Sequence, residues 1–219
     1  MIAKGTTEIS KVCLGSDELN KVCLGATELW SAAQPLPYDA QVEYIENKAN
    51  QKVNLGISGY VKFKITAQVN EITSNTQVLV SSNASGAAGS WFGATPSSGN
   101  GYWGASTAAG AHVNIVATTK ANIEVEFDNS AVSGTVNGEA FTRSRSGVPG
   151  DWWLFATVTG GYSFIGKIKA LQAYQNDTLV LDLIAVRIGT DGYLYNRLNG
   201  SFLTAANGST FIAGNDVTP

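Results

Sequence analysis

The segment GYVKFKITAQV, residues 59–69, alternates without a break. Val61, Phe63, Ile65, Ala67 and Val69 are apolar, and Lys62, Lys64, Thr66 and Gln68 between them are polar. A period of two puts every apolar side chain on one face of an extended chain, so the segment predicts a strand with one face buried and one in water. IEVEFDN, residues 123–129, repeats the pattern with Ile123, Val125 and Phe127 inward and Glu124, Glu126 and Asp128 outward. No stretch keeps a 3.6-residue apolar period over three turns. Asn137-Gly138, Asp191-Gly192 and Asn199-Gly200 mark hairpin turns, because Asn and Gly accept the positive φ such turns need. About a dozen strands in ~180 residues, with no helix, predict an all-β chain built as an antiparallel two-sheet sandwich or jelly roll.

Composition agrees with strands and tight turns. Charged residues make up 14% of the chain, against roughly 25% in ordinary globular domains, and 24 glycines help to fill the difference. The net charge is -3 and the lysines and arginines are scattered, so nothing resembles the basic patch that releases counterions from DNA or RNA. No run of about 18 apolar residues exists to insert in a membrane. The first residues, MIAKGTTEISK, lack the apolar centre of a secretion signal. Synthesis in the cytosol is therefore expected, with Cys13 and Cys23 reduced.

Residues 1–30 repeat themselves. In register they read GTTEISKVCL (5–14), GSDELNKVCL (15–24) and GATELW (25–30). Each unit holds two apolar triplets separated by Ser-Lys or Asn-Lys and by Gly-Ser or Gly-Ala, which predicts a narrow β-meander of roughly three-residue strands. Cys13 and Cys23, with His112 the chain's single histidine, cannot complete a four-ligand zinc site within one chain. A ribbon of this size buries almost nothing alone. It either packs as a hairpin on its own main domain or serves as a docking and oligomerisation segment; the second reading is favoured. SAAQPLPY (31–38) carries two prolines that favour extended backbone, so residues 31–37 read as a linker and 38–219 as the main domain.

Three blocks of the main domain resemble one family. YDAQVEYIENKANQKVNLGI (38–57), WLFATVTGGYSFIGKIKALQAYQNDTLVLDLIAVR (153–187) and GYLYNRLNGSFLTAANGSTFIAGNDVTP (192–219) are similar, in order and spacing, to the concanavalin A-like (laminin-G-like) jelly rolls of phage structural proteins and gut-bacterial surface proteins. Asn196 stands where that pattern has Asp, and Ala185 where it has Pro. The decapeptides resemble "K-V-Y-L-G-S-T-E-V" repeats that precede such domains in phage virion proteins, with Cys13 and Cys23 in place of an aromatic residue. The resemblance implies an architecture and an association with virions or cell surfaces. It implies no single activity, because the same sandwich hosts lectins, glycosidases and structural modules.

Candidate chemistry is sparse. Glu124, Glu126 and Asp128 share one strand face at about 6.5–7 Å per step, and jelly-roll glycosidases use a similar Glu-x-Asp-x-Glu strand. Retaining chemistry needs carboxyls about 5–5.5 Å apart, and the order here, Glu-x-Glu-x-Asp, differs, so a solvated strand face is the simpler reading. His112 has no acidic companion nearby in sequence and reads as an ordinary strand residue. No P-loop, no G-x-S-x-G elbow and no calcium-ligand spacing occurs, so neither cofactor nor metal is expected.

SNASGAAGSWFGATPSSGNGYWG (82–104) reads as a long Gly/Ser/Asn loop region. Aromatic and polar side chains in or beside it and the other Gly-containing loops are better suited to sugars, whose C–H faces stack on rings. Trp91, Asn100, Tyr102, Trp103, Arg143, Arg145, Asp151 and Trp152 are the candidate carbohydrate-binding residues. In DWWLFA only one of the two adjacent tryptophans can face the core.

These readings converge on a non-enzymatic phage structural protein: a tail, fibre or capsid-attached appendage. Residues 1–30 would dock or oligomerise it, a homotrimer being the expected state, and the jelly roll would face outward to meet host-surface glycans. A bacterial surface lectin and a glycosidase using Glu124 and Glu126 are the alternatives.

Overall fold

The computed structural model describes residues 13–14, 17–18, 21–24, 27–31, 36–47, 51–70, 77–84, 91–97, 100–106, 120–128, 130–144, 148–156 and 163–217. The chain divides into two compact units, Met1–Pro37 and Tyr38–Pro219.

In the first unit, β1 (Cys13–Leu14) pairs antiparallel with β2 (Asp17–Glu18), and β3 (Lys21–Leu24) with β4 (Thr27–Ser31). Each pair is separated in sequence by one of the expected turn dipeptides, Gly15-Ser16 or Gly25-Ala26. Among the described residues these are two separate two-stranded ladders. The first apolar triplet of the repeat, around Ile9, lies outside the described residues.

The second unit is all-β, with no helix among its described residues. Its strands are β5 (Ala40–Gln41), β6 (Ile45–Asn47), β7 (Val53–Ser58), β8 (Val61–Val69), β9 (Gln77–Ala84), β10 (Trp91–Ser97), β11 (Asn100–Ser106), β12 (Lys120–Phe127), β13 (Ala131–Val136), β14 (Glu139–Ser144), β15 (Pro149–Leu154), β16 (Gly166–Gln175), β17 (Thr178–Ile188), β18 (Asp191–Asn196), β19 (Ser201–Leu203) and β20 (Phe211–Ala213). One sheet has the order β11-β10-β9-β15-β7. The other runs β14-β13-β12-β8-β16-β6-β20-β18-β17-β5, with β19 beside β18 and a second β16–β17 pairing. That second pairing closes a circuit β16–β6–β20–β18–β17, because β16 pairs with β6 through Gly166–Ile168 and with β17 from Ala170 onward.

The two sheets pack face to face, as the alternation requires. Val61, Phe63, Ile65, Ala67 and Val69 are all buried, and so are Ala121, Ile123, Val125 and Phe127 on β12. Trp152 from the smaller sheet fills the centre of this layer, 5.0 Å from the Phe63 ring and 4.5 Å from that of Phe127. Phe92 stacks on Phe141 across the same interface at 5.8 Å. Burying such rings supplies about 1.5–3 kcal/mol each, so the aromatic layer adds to the aliphatic core in holding the sheets together.

Turn chemistry largely follows the sequence. Asn137 and Gly138, at φ 51° and 86°, join β13 to β14, and Gly200 at φ 73° precedes β19. Two expectations need correction. The turn between β17 and β18 falls at Gly189-Thr190, with Gly189 at φ 60°, while Asp191-Gly192 already belongs to β18. The approach at Gly192 is close: a Cβ would stand 3.1 Å from Phe211 O on the neighbouring β20. The Gly-rich stretch around residues 91–106 is a β-hairpin, β10 with β11, where a long loop was expected.

Candidate functional site

The outward side chains of β8, β12 and β16 form a ladder whose rungs are set by strand register. Lys62, Glu126 and Tyr174 make the first rung, and Lys64, Glu124 and Gln172 the second. Thr66, Asn122 and Ala170 make the third, and Gln68, Lys120 and Lys167 the fourth. Residues opposite one another on neighbouring strands share a face. The alternation that sends Phe63, Ile65 and Val125 into the core therefore sends this ladder out of it.

Three adjoining depressions follow the ladder. The middle one, of about 610 Å³, is lined by Lys64, Thr66, Asn122, Glu124, Gln172 and Arg197 among others. A second, of about 320 Å³, shares Thr66, Asn122 and Asn137 with it and continues to Lys120, Lys167, Lys169, Glu43 and Tyr44. A third, of about 360 Å³, lies at the opposite end beside Lys62, Glu126, Tyr60 and Tyr174.

Hydrogen bonds hold the middle of this groove in one arrangement. The Tyr174 hydroxyl donates to Gln172 Oε1 at 3.0 Å, and Gln172 Nε2 donates to Asp182 Oδ1 at 3.2 Å. Arg197 closes the chain on Asp182 Oδ2, with Nε at 2.9 Å and Nη2 at 2.8 Å. Asp182 is 7% exposed, and this double partnering offsets the cost of burying its charge. Lys64 Nζ pairs with Glu124 Oε1 at 3.2 Å. Thr66 Oγ1 donates to Asn122 Oδ1 at 3.2 Å. Asn137, from its positive-φ turn, is tied to β12: its Oδ1 accepts from Asn122 N at 2.8 Å and its Nδ2 donates to Lys120 O at 3.1 Å.

The carboxylate row divides into different duties. Glu124 is ion-paired with Lys64, and Glu126 stands exposed opposite Lys62. Asp128 lies beyond the end of β12, where its Oδ1 accepts from Ser130 N at 2.7 Å and Ala131 N at 2.6 Å and so closes the turn into β13. What remains is an open polar groove whose middle holds fixed neutral donors and acceptors beside two ion pairs, Lys64–Glu124 and Arg197–Asp182. Such a surface hydrogen-bonds hydroxyl-rich ligands without needing to bury them.

Of the residues expected from sequence to bind sugar, none whose side chain is described lines this groove. Trp152 is corrected outright: it is 0% exposed, its ring is core, and its Nε1 donates to Gly59 O at 2.8 Å. Its neighbour Trp153 takes the outward position, half-buried, with Lys52 Nζ 4.8 Å above its ring. Trp91 is half-buried at the start of β10 and lies opposite Ser81, as Trp153 does on the other side of β9. Asp151 is exposed on β15. Arg143 is exposed on β14, at the edge of the larger sheet, where its Nη1 donates to Thr142 O. Asn100, Tyr102 and Trp103 occupy β11, with their side chains outside the described residues, as are Arg145 and His112.

Sequence reasoning missed Thr66, Asn122, Gln172, Asp182 and Arg197 as a group. The alternation in 59–69 announced that Thr66 faces outward, but which strands lie side by side is not written in any one segment.

No protein-family model matches the chain, and no curated protein matches it. Among solved structures it is similar to domain 4 of AbnA, a GH43 extracellular arabinanase from Geobacillus stearothermophilus, in complex with arabinotriose. That likeness has 14% identity, covers 66% of this chain and 77% of that one, and has a TM-score of 0.41. A likeness of that degree defines neither family nor ligand.

Proposed function

We propose that this chain is a non-enzymatic structural component of a phage virion, a tail, fibre or capsid-attached appendage. In this reading its main domain is a concanavalin A-like jelly roll displayed outward, and the groove over β8, β12 and β16 binds host-surface glycans. The observation that carries the binding role is the central rung of Thr66 and Asn122, flanked by Gln172 and Asn137: neutral hydrogen-bonding groups set in an open groove. The virion role is supported by the resemblance of the decapeptides and of the three main-domain blocks to phage virion proteins. Residues 1–30 serve as the docking and oligomerisation segment, and a homotrimer is the expected state.

Mass-spectrometric inventory of purified virions tests the location, and absence of the chain from particles sinks it. Light scattering on the full chain and on a chain lacking residues 1–30 tests the segment; equal monomeric masses sink its assembly role. Release of reducing sugar from a polysaccharide, lost in Glu124→Gln, would overturn the non-enzymatic reading in favour of a glycosidase.

A further inference from the structure

The larger sheet ends on β14, and among the described residues no strand lies beyond it. A strand in that position presents one row of backbone N–H and C=O groups that a further strand can pair with. The hairpin register says which residues carry that row. Asn137 and Gly138 form a two-residue turn, so Val136 and Glu139 beside it exchange backbone bonds. Phe141 and Arg143 follow Glu139 in bonding to β13, and Ala140, Thr142 and Ser144 turn their backbone groups outward. Arg143 agrees with this: its Nη1 donates to Thr142 O at 2.7 Å, so that carbonyl is reached from outside the ladder. Phe141 is buried against Phe92, while Glu139, Ala140, Thr142, Arg143 and Ser144 are all exposed. Glu139 and Arg143 share the face of Phe141 and stand two residues to either side of it.

We propose that β14 is a self-complementary interface, at which two copies of this chain join edge to edge and continue the larger sheet across a two-fold axis. Opposite charges placed evenly about Phe141 are what such an axis requires, because the same patch must serve on both copies. With the axis at Phe141, two antiparallel copies of β14 set each Glu139 opposite the other copy's Arg143. Ala140 then falls opposite Thr142. The parity fits as well. Ala140 and Thr142 carry the outward backbone groups, so they exchange N–H···O bonds across the junction. Glu139 and Arg143 take the non-bonded positions between, where Cα atoms are about 4.5 Å apart and side chains meet most closely. Arg143 gives up its bond to Thr142 O for the second copy's Glu139, and the N–H of the second copy's Ala140 replaces it on that carbonyl. Inward-pointing charges on an edge ordinarily keep strands apart; here a second copy neutralises both signs. One strand from each copy is a small contact beside the roughly 1,200–2,000 Å² of a stable interface, so the pairing is reversible. It is separate from the assembly role of residues 1–30 and from the glycan reading, and it doubles whatever state that segment sets.

The test is sedimentation velocity of the full chain over a wide range of concentration. Glu139→Arg, Arg143→Glu, the double exchange and an equimolar mixture of the two single variants are run beside it. At high concentration the parent and the double exchange should reach twice the mass of either single variant. Each single reversal sets like charges opposite one another at two places, which should raise the dissociation constant of the pairing about tenfold or more. The mixture should recover the parent's mass, since one chain then carries two arginines on this strand and the other two glutamates. A variant that merely failed to fold would not be rescued in this way. Ala140→Pro, which removes an outward N–H and none that β13 uses, should halve the mass without a change of charge. One mass for the parent, the single variants and the mixture overturns the proposal and leaves the charged edge as a guard against pairing. So does a mixture that stays at the mass of the single variants, or a parent whose mass does not rise with concentration.

Discussion

Arg187 on β17 and Asp216 near the C-terminus form a two-pronged ion pair, Nε to Oδ1 at 2.6 Å and Nη2 to Oδ2 at 2.7 Å. Asp39 stands 3.8 Å away on the other side of the same guanidinium. One arginine thus ties the first and last segments of the main domain to its longest strand. The hydrogen bond from Arg187, with its charge, holds the Asp216 carboxyl below the usual carboxylate range, and the guanidinium is pushed up in return.

The sign of the pH dependence follows. A carboxyl whose folded pKa is depressed adds stability above its unfolded value, near pH 3.9, and loses it as pH falls through the lower folded value. Asp216→Asn should therefore unfold at lower denaturant than the parent at neutral pH. The difference should shrink as pH drops below the ordinary aspartate range. A gap that stays constant with pH would contradict the ion-pair account.

Trp152→Ala should cost about 3–5 kcal/mol, the loss of a large core aromatic, because the ring lies against both Phe63 and Phe127. Trp152→Phe keeps most of the packing but removes the donor to Gly59 O, at a cost nearer 1 kcal/mol for the lost bond. Urea unfolding resolves both. If Trp152→Ala left stability intact, the assignment of this ring to the core would be wrong.

Gly134→Ala should be severe. At φ 155° its Cβ would lie 1.9 Å from Glu124 O, in the strand that floors the groove. Relief requires β12 and β13 to part, at a cost of about 3 kcal/mol, the upper end for overpacking. Loss of stability together with loss of ligand binding is the expected result.

Glu124→Gln should behave differently. The pair with Lys64 is close to half exposed on both sides, 44% and 47%, and such pairs contribute up to about 1 kcal/mol. The melting temperature should hardly move, while binding in the groove, which Glu124 lines, should change.

The sequence made the sheets legible where period-two alternation was strict: every inward residue named in 59–69 and 123–129 is buried. It was less informative where neighbours in space decide. Trp152 and Trp153 are identical in the string, and only the opposing Phe63 and Phe127 determine which one faces inward. Asp191-Gly192 carries the composition of a turn, yet it lies inside β18, where it pairs with Ile212 and Phe211 of β20. Thr66, Lys120 and Gln172 come from strands far apart in the chain, so the groove exists only in their register. Arg187 and Asp216 stand in two separate blocks of the string, and the structure adds that they bind each other.

Whether the groove over β8, β12 and β16 binds glycans is decided by a glycan array. The full chain should give signal on a subset of glycans. The double variant Asn122→Ala/Gln172→Ala should lose that signal while keeping its melting temperature within a few degrees, about 1 kcal/mol or less. An oligomeric, folded sample that binds no glycan, or a double variant that binds as well as the parent, would contradict glycan binding there.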